Sequence, residues 1–106
     1  MTNILKMHDL SIVGVVYNKI KNELKFNIDD NSTIIFCDVF HWDLTSFEMQ
    51  NIIFEISIYR KIPDLLVDEY GLHKGIPNNF NLYHINSSSG LSGIVISKEI
   101  KVIKDK

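Results

Sequence analysis

The chain has one cysteine, two prolines and five glycines in 106 residues, and no long run of apolar side chains. One cysteine cannot form an internal disulfide or supply a thiolate-rich zinc site, so Cys37, inside "TIIFCDVF", is expected to be a buried small side chain in a reduced, cytoplasmic protein. Charge of one sign is also missing: 11 basic residues face 13 acidic ones for a net charge of -2. They are spread along the chain, which excludes the basic stripe that a nucleic-acid binder needs to neutralise phosphates. The amino-terminal residues "MTNILKMHDLSIVG" lack the pattern of a secretory signal, and no segment has membrane-spanning length. Internal repeats and low-complexity tracts are absent, and "NSSSGLSG" is too short for an interdomain linker. Residues 1–106 are therefore expected to form one domain, large enough to bury a core without staples.

What is abundant is β-forming residue. With 45% hydrophobic and 23% charged side chains, isoleucine, valine, phenylalanine and tyrosine alternate with polar residues between clusters of Asn, Asp, Gly and Ser, the pattern of pleated strands with one buried face. Leu10, Ile12, Val13, Val15 and Val16 leave little polar alternation and predict a central strand covered on both faces. Leu24, Phe26 and Ile28 predict a second strand with one wet face, joined to the first by a hairpin through "YNKIKNE". A third strand runs from Thr33 to about Phe40, after the turn "DDNS". Strict alternation there would bury Asp38 unpaired, so a bulge near Cys37 and Asp38 should turn Asp38 outward and Val39 inward.

Beyond "HWDLTS", Ile52, Phe54, Ile56 and Ile58 share one face of the clearest strand. "PDLLVDEYGLHKGIP" has proline at a first helical position, Asp64 in the first turn and Gly71 as a stop, so residues 63–71 predict one short helix or a compact loop, capping one end of the fold. Two more strands flank a Ser-Gly turn, the last with Ile94, Ile96, Ile100 and Val102 on one face and Lys98 interrupting it. The sum is a mainly β chain, an antiparallel β-sandwich or strongly curled sheet of about six to eight strands with one short helix.

Catalytic and metal motifs are weak. His8 and Asp9 are neighbours on an extended chain and point to opposite sides, which favours Asp9 as a turn residue. His41 and Asp43 have the spacing of two metal ligands, but no third is identifiable, so no metal and no cofactor is expected. His73 and His84 complete the four histidines, and nothing in their spacing enforces an acid-base pair. "GLSG" lacks the five-residue nucleophile elbow and suits a hairpin turn. Trp42 and Phe47 bracket a loop, "HWDLTSF", of interface-like chemistry, although the plainer reading is that both plug the end of the core, a lone tryptophan in a small β-domain commonly supplying packing area. Asp64, Asp68 and Glu69, with Tyr70 and His73, form a second candidate surface.

Taken together, "HDLSIVGVVYN", "LKFNI", "TIIFCDV", "QNIIFEISI" and "YHINSSSGLSGIVISKEIKV" resemble a group of small bacterial β-proteins that includes immunity proteins of toxin-immunity systems. The resemblance runs through nearly the whole chain. It implies a non-enzymatic inhibitor, of the kind used in contact-dependent growth inhibition, that binds a secreted nuclease toxin one-to-one in the cytoplasm and covers its active site. No catalytic residue comes with it. The expected partner-binding residues are Asp38, His41, Trp42, Asp43, Asp64, Asp68, Glu69, Tyr70 and His73. The alternatives are a small histidine-dependent hydrolase or nuclease, and a carbohydrate or small-ligand module in which Trp42 or Tyr83 stacks on the ligand.

Overall fold

A computed structural model describes residues 3–5 and 9–104. The elements are β1 (Asn3–Leu5), β2 (Ile12–Asn18), β3 (Glu23–Ile28), β4 (Ser32–Thr45), β5 (Ile52–Tyr59), α1 (Asp64–Tyr70), β6 (Asn81–Ser89) and β7 (Ser92–Lys104). All seven strands join one antiparallel sheet in the order β1-β5-β6-β7-β4-β3-β2. Of the two arrangements that alternation allows, the chain adopts the strongly curled sheet, a half-barrel with one short helix.

Curling gives the sheet an inner and an outer face, each with its own core. Inside, Leu24, Phe26, Ile34, Phe36, Ile53, Ile56, Tyr83 and Val95 are buried together. Phe36 sits edge-on between Phe26 and Tyr83, at centroid distances of 5.1 and 5.3 Å, the geometry in which ring edges meet ring faces. Outside, Leu66 of α1 packs with Leu82, Ile94 and Ile96, and Tyr70, Leu72, Ile76 and Phe80 close around them. The helix thus covers a face of the sheet rather than capping an end. Pro63, expected as the first helical residue, is its N-cap, so the helix starts one residue later, and Gly71 ends it at φ 67° with its N–H on the Val67 carbonyl. A residue without Cβ takes that left-handed turn at no steric cost.

Three strand assignments change. The opening strand β2 is an edge, paired only with β3, and Val13 and Val16 are 59% and 52% exposed. An apolar run without alternation reads the same whether both faces are covered or both are bare, and only the pairing distinguishes them. In β5 the buried hydrophobic residues are Ile53 and Ile56, because register shifts between Ile52 and Glu55 move the inward position; the side chain of Phe54 lies outside the described residues. In β7, Ile94 and Ile96 face the helix while Ile100 packs inside. The strand changes face across Lys98 and Glu99, as the interruption at Lys98 anticipates.

β4 runs on through the segment expected to be a loop, reaching Thr45. Asp38 is exposed at φ 55° while Val39 packs on the inner core, as expected, and a register shift follows between Val39 and His41. Together the two irregularities return Leu44 to the inner core.

The half-barrel is drawn together at one end by the amino-terminal segment. β1 pairs with β5, and Ser11 then bridges to Ile52, with Ile12 N–H on the Asn51 carbonyl and Ile53 N–H on the Leu10 carbonyl, each at 2.8 Å. The same chain continues as β2 along β3, at the opposite edge. Asn51 locks this junction. Its side chain is buried and makes four bonds: Nδ2 donates to the Ile12 and Glu48 carbonyls at 3.0 and 2.8 Å, and Oδ1 accepts from Glu48 and Leu91 N–H at 2.8 and 2.9 Å. Asp9, at φ 68°, donates its N–H to the Ile53 carbonyl, which gives it the turn role expected of it. His8 lies outside the described residues.

Candidate protein-binding surfaces

The expected partner-binding residues divide between the two faces of the sheet. His41 and Asp43 do lie on one face, since they pair in register with Ile96 and Ile94, both of the outer core. Trp42 between them points to the inner side, where its ring stands 4.9 Å from that of Tyr17. At 39% exposure it is neither core nor free: it borders the open part of the half-barrel, and Phe47 follows beyond the end of β4, exposed.

On the outer face, a cavity of about 590 Å³ between β4 and the segment after α1 is lined by His41, Tyr70 and His73 together with Phe40, Leu72 and Lys74. This brings three of the nine expected residues around one space. Asp43 and Glu69 stand close enough to Tyr70 to act on it: burial first, then the Glu69 carboxylate, then Asp43, push the phenol up to about 12. Tyr70 therefore stays protonated at physiological pH and serves as a hydrogen-bond donor. Asp68 lies 3.9 Å from His73, both well exposed, so solvent screens that pair to near insignificance. Asp64 at the start of the helix and Asp38 at the β4 irregularity stand outside this group.

Asp43 and His84 do not form an acid-base pair. One row of the sheet runs Ser57, His84, Ile94, Asp43 across four strands. Strands are spaced by about 4.8 Å, so Asp43 and His84 are separated by roughly 10 Å of backbone, with the Ile94 strand between. His84 stacks edge-on towards Tyr70 at 6.5 Å, and burial pushes its pKa down against the weaker opposing pull of Glu69 and Glu55. Among the described residues no three His, Cys, Asp or Glu side chains group as a metal site requires. No buried side-chain nitrogen or oxygen there lacks a hydrogen-bond partner. Cys37 is buried, which pushes its thiol pKa up and leaves it a poor nucleophile.

The second surface holds three valines that the apolar run predicts to be covered. Val13, Val15 and Val16, with Tyr17, form a strip on the free edge β2, with no charged residue from Leu10 to Asn18. Tyr17 joins the strip to Trp42 and is itself held by a 2.7 Å bond from its hydroxyl to Asn22 Oδ1. The second amide atom of Asn22 donates to the Val39 carbonyl at 3.0 Å, tying the β2–β3 turn to β4. The absence of charge over nine residues was the available signal, and it fits an uncovered edge as well as a covered centre.

No protein-family model and no curated protein matches the sequence. Among solved structures, the crystal structure of an uncharacterized protein from Neisseria gonorrhoeae is similar, with a TM-score of 0.63 over 96% of each chain at 13% identity. Similarity at that identity shows a shared fold. No helix among the described residues is long and apolar enough to cross a membrane.

Proposed function

We propose that the chain is a stoichiometric binding protein of the immunity type, which grips a secreted bacterial toxin, most naturally a nuclease, and covers its active site in the cytoplasm. The observation that carries it is the charge-free strip Val13–Tyr17 on the free edge β2, continued by Trp42. Soluble proteins commonly blunt a free edge with charge, proline or a bulge. Here only a register shift between Ile12 and Gly14 does so, and apolar side chains with aromatic anchors are the composition of interface centres. A partner segment laid along β2 would satisfy its outward backbone groups while its side chains cover the valines.

Helix α1 supplies the complementary electrostatics. Asp64, Asp68 and Glu69 are exposed, and the helix carries no basic residue. Such a patch steers a basic nuclease towards the chain. A rigid sheet presents these groups at little ordering cost, so tight binding needs no catalytic machinery.

Co-expression with candidate toxin domains encoded by neighbouring genes tests this. The expected result is a one-to-one complex on size exclusion with light scattering, and restored growth of cells making the toxin. Val16→Lys, at an exposed position, should leave folding intact and abolish both. Neither complex nor rescue with the wild-type chain would refute the proposal.

A further inference from the structure

A cleft beside the start of β6 gathers positive charge with no carboxylate in its lining. Arg60 follows the end of β5, Lys98 lies on β7, and β6 runs between them. With neighbouring strands about 4.8 Å apart, their backbones stand roughly 10 Å from one another, within reach of a common ligand for side chains of this length. Both line a cleft of about 340 Å³, together with Asn78, Asn79, Asn81 and Phe80. That volume lies in the range of small-molecule sites. No carboxylate lines it, and among the described residues neither Arg60 nor Lys98 has an ion-pair partner.

The cleft is built rather than incidental. The Lys98 ammonium stands 5.6 Å from the centroid of the Phe80 ring, an attraction that holds it over the cleft. Asn81 Nδ2 donates to the Lys98 carbonyl and the Tyr83 hydroxyl, each at 3.3 Å, which holds the amide in place. The turn that carries Asn78 and Asn79 is closed by Phe80 N–H on the Pro77 carbonyl at 3.3 Å, with Asn79 at φ 71°. The Asn78 and Asn79 side-chain amides make no hydrogen bond among the described residues, so their donors and acceptors remain available to a ligand.

We infer that this cleft binds the phosphate group of a small polar molecule, a phosphomonoester of nucleotide or sugar-phosphate size. A guanidinium fork matches phosphate oxygens bidentately, and a lysine adds a point charge from the far side. Asparagine amides donate to ester or hydroxyl oxygens and accept from hydroxyls, while Phe80 walls one side. The chain as a whole is slightly acidic, so the attraction is local and suits a small anion rather than a nucleic-acid backbone. The cleft shares no residue with the Val13–Tyr17 strip, so this inference stands or falls separately from toxin binding.

Titration of the full chain, followed by amide NMR, tests it with three probes at low salt: adenosine monophosphate, inorganic phosphate and adenosine. The expected result is saturable shifts at Asn78, Asn79, Phe80, Asn81 and Lys98 with the two phosphates, weakened by added salt, and none with adenosine. Arg60→Gln and Lys98→Gln should each raise Kd about tenfold or more with unchanged urea midpoints. Three results would overturn it: no saturable shift up to about 10 mM phosphate ligand, an equal response to adenosine, or unaltered Kd in both variants.

Discussion

Replacing Asn51 by alanine should do more damage than its position at the head of a strand suggests. The side chain is 1% exposed and uses its full capacity, two donors and two acceptor pairs, on four backbone groups. Three segments meet there: the approach to β2 through Ile12, the β4–β5 connection through Glu48, and the β6–β7 turn through Leu91. A net contribution of about 1 kcal/mol per hydrogen bond gives roughly 4 kcal/mol. Water can replace part of the Glu48 bonds, since Glu48 is exposed, whereas the bonds to Ile12 and Leu91 are buried and their partners would be left unsatisfied. These corrections have opposite signs, and we expect a loss of about 3–4 kcal/mol, a large share of the ~5–15 kcal/mol that holds a domain folded. Urea unfolding followed by far-UV circular dichroism measures it. At an m value of ~1–1.5 kcal/mol/M, the midpoint should fall by about 2–4 M with the slope unchanged. A midpoint within about 0.5 M of wild type would show that Asn51 is not the lock described.

His84 is half-buried and its pKa is pushed down, chiefly by burial, so the unfolded chain takes up its proton first. Its contribution is complete above the unfolded value near 6.5 and is lost as pH falls through the lower folded value; urea midpoints should drop between pH 7 and 5, and His84→Gln should flatten that slope. Gly93→Ala places a Cβ 2.0 Å from the Asp43 carbonyl oxygen at φ 141°, whereas Gly75→Ala at φ 75° meets nothing within 4 Å; thermal melts should show a loss above about 3 kcal/mol for the first and about 1–2 kcal/mol for the second, and equal losses would refute the close approach of β7 to β4. Trp42 is the lone tryptophan and 39% exposed, so its emission should shift to shorter wavelength when the toxin binds, and an unchanged spectrum in a proven complex would place the interface elsewhere.

Most strands, the turns and the place of a helix or compact loop were legible because each has a local cause. Asn18 and Asn22 suit a turn, Pro63 and Gly71 bracket a helix, and Gly90 takes the positive φ that the β6–β7 turn requires. Even the β4 irregularity was readable, since a buried unpaired Asp38 would be too costly. Neighbours in the sheet were not legible: β4 pairs with β7, and β2 pairs with only one strand, and neither fact has a signature within its own residues. Hence Val13 and Val16 were assigned to the interior. Of the candidate site, the common face of His41 and Asp43 followed from period-two geometry. The cavity joining His41 to Tyr70 and His73, and the meeting of Arg60 with Lys98, depend on strands brought side by side from distant parts of the chain. The run "PNNFN" was a visible hint of the latter, but a run of asparagines beside proline is ordinary turn composition.

The pairing of β1 with β5, and of Ser11 with Ile52, also sets an order of events during synthesis. β1 leaves the ribosome first, yet its partner β5 begins at Ile52 and ends at Tyr59. The hairpin of β2 and β3 can form early, while β1 must wait, unsheltered, for about fifty residues of translation. Slow codons or stalls within that interval would prolong the life of an intermediate whose valine-rich margin is already displayed. Such margins are where growing chains stick to one another.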